Sequence, residues 1–339
     1  MTGSPQLKIL RSRVAANWLA ELIETEYELG GAVAGKLFYS GDNDIYLITV
    51  GETKYVARIY RYGKPWITSE TDYHFELEWL NYLKGQGVPV SYPIQRRDGD
   101  YLGHLHAAEG LRHYALFSFA EGQAGDPISE EQSYRYGAGV AQIHLLSNEF
   151  QSQHKRFTTD LTFLLDNPLQ WIKNLLADRR AQDLDFLVDA IGTLKKQVTA
   201  ILEGDDAAIG TMSADAWGII GGDCHFLNAH FNADNDPIFF DFDFCSYGWR
   251  VYDIAVFLWD VVRRDAPPEI ASSFLAGYQS VRPLSEAELK LLSPLMAIRH
   301  IFVTGTVMRI AHFNGDLWFD DATLDQAFNQ IKKLMEMRN

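Results

Sequence analysis

The sequence predicts an α+β fold in two lobes: an antiparallel-sheet lobe carrying a helix over residues 1–120, then a mainly α-helical lobe over 121–339. Three observations carry this. Residues 35–39, 44–50 and 54–60 are closely spaced β-prone runs, the last two joined by the tight Gly51-Glu52-Thr53 turn. The apolar run 114–119 gives way to Ala120-Glu121-Gly122-Gln123-Ala124-Gly125-Asp126-Pro127, whose small residues and proline read as a linker. From 252 onward every segment has helical character, over 252–264, 268–281, 285–313 and 321–337.

Taken in order, residues 9–29 place Val14, Trp18 and Leu22 at i, i+4, i+8, which predicts an amphipathic helix packed outside the sheet. After the three strands, residues 71–84 carry Phe75, Trp79 and Leu83 on one helical stripe. Val88-Pro89-Val90 ends that helix, and a strand, the Asp98-Gly99 turn and a second strand are expected before 114–119. Ser129 with Gln132, and Ser285 with Glu288, have capping-box spacing, the first opening a helix that runs through 147. Residues 167–203 read as a helical pair with Trp171, Leu175, Phe186 and Leu194 at apolar positions.

A chain of 339 residues that is 47% hydrophobic is ample for packed cores. Its 45 acidic and 30 basic residues leave a formal charge of −15, which disfavours nucleic acid or an anionic membrane as partner. The same charge slightly favours a cationic or zwitterionic substrate, although solubility alone would account for it. Cys224 and Cys245 lack zinc-site spacing and read as buried thiols of a reducing compartment. The N-terminal residues hold no apolar secretory run. The apolar segment 291–311 carries Arg299, His300 and Arg309, so it is expected to be a buried helix of a cytoplasmic protein.

The chemistry concentrates in residues 217–258. A short β-prone run over 217–220 leads into Gly221, Gly222, Asp223, Cys224, His225, Phe226, Leu227 and Asn228, and after a turn the run 238–240 ends on Asp241. Phosphoryl transfer requires a carboxylate to take the proton of an acceptor hydroxyl and oxygen ligands for Mg²⁺. Asp223 as base, with Asn228 and Asp241 as ligands, meets those needs. Singly, each would be an ordinary turn residue; the ordered set argues for chemistry.

That order, Gly222-Asp223-x-His225-x-x-Asn228 followed by Phe240-Asp241-Phe242-Asp243 and Tyr252-Asp253-Ile254-Ala255, resembles the aminoglycoside phosphotransferase and choline kinase superfamily. Within it the resemblance is to the phosphotransferase enzyme family branch, which includes type II homoserine kinases and a stress-response kinase. The resemblance implies a two-lobed, protein-kinase-like α+β fold, ATP and Mg²⁺ as cofactors, and a small-molecule hydroxyl acceptor such as an amino alcohol, an aminoglycoside-like compound or homoserine. Asp223 matches the catalytic-loop aspartate, Asn228 and Asp241 the metal ligands, and Asp253 the aspartate that braces the loop. The sequence departs from the pattern where the usual His-Gly-Asp is Gly221-Gly222-Asp223.

By the same resemblance, Ser40, Gly41 and Asn43 lie in the nucleotide loop, where residues tolerant of unusual backbone angles would turn N–H groups toward phosphates. Arg58 stands where the family has a phosphate-binding lysine, and Glu76 matches the helix glutamate that pairs with it. Strand alternation leaves open whether Arg58 faces the site or solvent. Backbone groups of 118–120, Ser118 and Ala120 among them, would meet adenine. His144 is set aside as a supporting group. Asp260, Tyr278, Asp316, Trp318 and Asp320 are candidates for acceptor contact. Two other readings fit the same residues: a protein Ser/Thr kinase of this fold, and a nucleotide-binding pseudokinase weakened at Gly221 and Arg58.

Overall fold

The computed structural model describes residues 9–176, 180–204, 212–314 and 320–337. The chain forms two compact units, Met1–Ala120 with Ser152–Lys155, and Glu121–Gln151 with Arg156–Asn339. It is a mixed α+β structure, antiparallel sheet first and helices after.

The first unit opens with α1 (Ala16–Glu26) and then β1 (Val33–Ser40), β2 (Asp44–Val50) and β3 (Thr53–Ile59). Helix α2 (Glu70–Gly85) follows, then β4 (Gly103–Ala107) and β5 (Gly110–Ser118). The five strands form one sheet in the order β1-β2-β3-β5-β4, every neighbouring pair antiparallel. Phe75, Trp79 and Leu83 of α2 are all fully buried, as their spacing requires. Helix α1 is shorter than expected, and its buried stripe is Leu19, Ile23 and then Tyr27, while Trp18 is 46% exposed. The cause is tertiary: Leu19, Ile23 and Tyr27 pack on Tyr46, Ile48 and Leu116 of the sheet, whereas residues before α1 are drawn out by Arg11, which reaches Gly41 and Asp44.

The hairpin before β5 also differs from expectation. The Asp98-Gly99 turn exists, with the Gly99 N–H bonded to the Arg96 carbonyl, but it joins no strands; the β4–β5 hairpin closes at Ala107 and Gly110. Residues 91–94 run beside β5 with a single bridge at Pro93, which has no N–H for a ladder.

In the second unit, β6 (Gln123–Ala124) lies in the expected linker and α3 (Glu130–Leu146) follows, its Ser129–Gln132 box closed in both directions. Next come β7 (Thr158–Thr159), a π turn over Thr162–Asp166, α4 (Asn167–Leu176) and α5 (Ala181–Glu203). Strand β8 (Trp217–Ile220), a 3₁₀ turn over Phe226–Asn228, β9 (Ala229–Phe231), β10 (Pro237–Phe239) and β11 (Ser246–Trp249) then build the site. Helices α6 (Arg250–Arg263), α7 (Pro268–Val281), α8 (Glu286–Asn314) and α9 (Asp321–Glu336) complete the chain. The two β-prone runs 217–220 and 238–240 do not pair with each other. Strand β10 pairs with β9, a short strand opening at Ala229, and β8 pairs with β11.

Helix α8 organises this unit, packing against α4, α5, α6 and α9. By length and composition its Glu286–Ala311 stretch could cross a membrane, yet 83% of an apolar 18-residue window of it is buried inside the fold, as in a core helix.

Candidate active site

In the first unit, the β1–β2 loop is held by cations. Arg11 donates to the Gly41 carbonyl at 2.8 Å and to the Ser40 hydroxyl at 3.0 Å, and Arg61 donates to the Gly41 and Asp42 carbonyls, both at 3.0 Å. The Asn43 side-chain oxygen accepts from the Arg61 N–H at 3.3 Å. Neither Gly41 nor Asn43 takes a positive φ, so the expectation of unusual backbone angles is corrected. Arginine contacts to the carbonyls set this loop's shape instead. Burial works against the Asp44 charge at its end, but the Ser40 hydroxyl, Arg112 and Arg11 hold that carboxyl below its usual range.

Arg58 is 5% exposed and its guanidinium meets the fully buried Glu76 at 2.6 Å, with the Phe117 ring 4.8 Å beneath it. The solvent-facing alternative is thereby removed. The Ser118 N–H donates to the Tyr92 carbonyl, and its own carbonyl and hydroxyl accept from Ser91 and Tyr92. Ala120, 5% exposed, closes the unit.

In the second unit, the loop after β8 is shaped by Asp253 from the first turn of α6. This fully buried carboxylate accepts the Gly221 and Gly222 N–H groups, each at 2.7 Å, and His144 Nε2 at 2.9 Å. A carboxylate can only accept, so His144 carries its hydrogen on Nε2 and takes the Tyr278 hydroxyl hydrogen on Nδ1 at 2.8 Å. Burial pushes the His144 pKa down, and the neighbouring Asp253 only partly restores it, so the ring is neutral at pH 7. His144 is thus the third support of the loop, beside the two glycine N–H groups.

Gly222 takes φ +76°, and a Cβ there would sit 2.3 Å from the Phe244 carbonyl oxygen, so glycine is required. Gly221 has an ordinary φ, but a Cβ there would sit 2.6 Å from Cys224 Sγ. The space that a family histidine would enter is filled by a buried thiol, and Asp253 binds the loop N–H groups directly. We expect Gly221→Ala to destabilise the fold by about 1–3 kcal/mol through overpacking. Cys224→Ala in the same chain should recover most of that in thermal melts; additive losses would show that the thiol is not the obstacle.

Asp223, Asn228 and Asp241 line one small recess with Tyr136, Phe239 and Phe240. Asn228 and Asp241 are brought side by side by backbone pairing, since the Phe240 N–H donates to the Asn228 carbonyl at 2.9 Å just beyond the β9–β10 ladder. The Asn228 amide nitrogen donates to the Asp223 carbonyl at 2.9 Å, which leaves the amide oxygen as the donor atom for a cation. Asp241 is exposed and holds φ +62°, a left-handed conformation that costs a non-glycine residue roughly 1 kcal/mol. Arg156 steadies the chain between Asp241 and β11, donating to the Cys245 carbonyl at 2.6 Å and to the Asp243 carbonyl.

In the sequence, Arg299 of α8 signals only that its helix is buried. In the structure its guanidinium is paired with the Asp223 carboxylate. Burial alone would raise the Asp223 pKa, but the charges of Arg299 and His225 outweigh it and hold the carboxyl below its usual range. The signal that points to Arg299 is a cation inside an apolar helix, which needs an anionic partner.

Among the described residues no three His, Cys, Asp or Glu side chains are grouped to hold a metal ion. One carboxylate and one amide oxygen are a poor zinc site. They suit Mg²⁺, which keeps waters and phosphate oxygens as its remaining ligands. Of the acceptor candidates, Asp260 is 1% exposed and paired with Arg263 and Arg264, Tyr278 is buried on His144, and Asp320 caps α9 through the Thr323 N–H at 2.8 Å. Structural roles therefore account for these three. Asp316 and Trp318 lie outside the described residues.

An antiparallel sheet unit and a helical unit whose β8–β9 and post-β10 loops carry an Asp, Asn, Asp set define a kinase-type phosphotransferase. The chain belongs to the phosphotransferase enzyme family, whose model matches residues 39–291. It is 26% identical over 279 residues to the homoserine kinase of Agrobacterium fabrum, covering 80% of this chain and 79% of that one. The fold is similar to that of an amicoumacin kinase in complex with AMP-PNP and Ca²⁺, at TM-score 0.71 and 18% identity over 94% of this chain and 93% of the other. It is also similar to a microcompartment-associated aminopropanol kinase, at TM-score 0.69 and 22% identity over 94% of this chain and 95% of the other.

Proposed function

We propose that this protein transfers the γ-phosphate of ATP, with Mg²⁺, to a hydroxyl of a small amine-bearing molecule in the cytoplasm. The observation that carries this is the convergence of Asp223, Asn228 and Asp241 on one recess, with Asp223 held ionised beside Arg299. The amine-bearing acceptor is supported by the activities for which the homoserine and aminopropanol kinases are named and by the −15 charge of the chain. The nucleotide and a divalent ion are supported by the amicoumacin kinase complex.

In this reading Asp223 accepts the proton of the acceptor hydroxyl as its oxygen forms a bond to the γ-phosphorus. The bond from that phosphorus to the β–γ bridging oxygen breaks, and ADP leaves. Asn228 and Asp241 would hold Mg²⁺, which when bound neutralises charge on the phosphate oxygens. Arg58, fixed by Glu76, holds nucleotide phosphates; guanidinium keeps its charge when buried and offers two parallel N–H groups. Ser40, Gly41 and Asn43 would cover the phosphates from a loop already held by Arg11 and Arg61.

The test is a screen of amino alcohols, hydroxy amino acids, aminoglycosides and sugars with MgATP, reading product masses. A phosphate added to one of the amine-bearing alcohols supports the reading. Phosphate appearing only on protein in a cell extract would place the acceptor in a different class.

A further inference from the structure

We infer that Arg299 is a positioning residue for phosphoryl transfer: from inside α8 its guanidinium holds the Asp223 carboxylate and the Gly222 carbonyl in one orientation, aiming the base at the acceptor hydroxyl. The inference rests on the reaction proposed above and adds to it a residue 76 positions away in sequence from the base. One guanidinium nitrogen donates to Asp223 Oδ1, and the other lies 3.5 Å from the Gly222 carbonyl oxygen.

Arg299 is itself immobilised. It is 4% exposed, with the Trp259 ring 5.1 Å and the Phe302 ring 6.0 Å from its centre. Trp259 in turn donates its indole N–H to His300 Nδ1 at 3.1 Å, and His300 Nε2 donates to the Ala327 carbonyl of α9 at 3.2 Å. Burial drives the His300 pKa down to about 4, so the ring stays neutral and keeps this tautomer. A chain of fixed groups thus runs from α9 through Trp259 to the guanidinium.

A buried guanidinium costs several kcal/mol unless its partner is well placed. Elsewhere in the same unit Arg282 meets that need with Asp215 and Glu288, carboxylates to which no chemistry is assigned. Arg299 instead spends its counter-ion on the one carboxylate that must meet substrate. Its planar fork fixes the carboxylate's direction as well as its charge, which a lysine ammonium cannot do.

The experiment measures MgATP turnover with water as acceptor, ATP binding by equilibrium dialysis and thermal unfolding by circular dichroism. Wild type is compared with Arg299→Lys and Arg299→Ala, the latter with and without methylguanidinium. We expect Arg299→Ala to lower kcat on the order of 100-fold, the scale of misplacing a reacting group by an ångström. The KM for ATP should move by about twofold or less, because nucleotide contacts are untouched. Arg299→Lys and added methylguanidinium should each restore part of kcat. The inference is overturned if Arg299→Ala keeps wild-type kcat. It is equally overturned if kcat, ATP binding and unfolding temperature all fall together and neither lysine nor methylguanidinium restores turnover. A wild type that turns over MgATP neither with water nor with any acceptor of the screen refutes the proposed reaction itself, and this role with it.

Discussion

Asp223→Asn removes phosphoryl transfer and leaves nucleotide binding intact. The substitution keeps the shape of the side chain and an oxygen to accept from Arg299, but an amide cannot take the hydroxyl proton. Base catalysis contributes about 10²–10⁴-fold, and the loss should fall in that range. Arg299 loses its counter-charge, so a modest loss of stability accompanies it, about 1–3 kcal/mol for a buried group left with a weaker partner. The assay is single-turnover transfer from MgATP to an acceptor found in the screen, with ATP affinity measured in parallel. A variant that retains turnover within about tenfold of wild type would remove Asp223 from the role of base. A variant that no longer binds ATP would show that the substitution acts on the nucleotide and not on the proton.

Much of this site was legible because its residues are close in sequence and each obeys a local rule. Asp223, Asn228 and Asp241 span only the β8–β10 region, and the spacing of Asp253 places it in the first turn of the next helix. The α2 stripe of Phe75, Trp79 and Leu83 and the caps at Ser129 and Ser285 are likewise local, and all are present. What the sequence did not reveal depends on long-range partners. Trp18 and Leu19 offer adjacent apolar faces, and only the sheet decides which is buried. Asp98-Gly99 has good turn chemistry but Pro93 nearby denies it a ladder, so the hairpin forms further on. The partner of β8 lies at Ser246–Trp249, beyond two intervening strands, and no spacing rule identifies it. Arg299 belongs to the same class, since its partner became evident only once α8 was packed beside the loop.

Asp253→Ala should cost more stability than any other single change at this site. Its carboxylate is the common acceptor for the Gly221 N–H, the Gly222 N–H and the His144 Nε2 hydrogen, and all of them are buried. Alanine leaves these donors without an acceptor, at about 1–3 kcal/mol each, and opens space beneath the loop. Because the loop can relax, the sum should fall toward the low end for three orphaned donors, about 3–5 kcal/mol. For a chain of this size that is roughly a 10 °C fall in unfolding temperature. Turnover should drop with it, because the same carboxylate fixes the peptide between Gly221 and Gly222, one residue before Asp223. His144→Ala provides the comparison. It removes one donor and leaves Asp253 with two backbone partners, so its loss of stability should be smaller and its loop should stay in place. Thermal melts and turnover of both variants, measured side by side, decide the matter. If His144→Ala proves as damaging as Asp253→Ala, the histidine carries the loop, and Gly221 and Gly222 do not need the carboxylate.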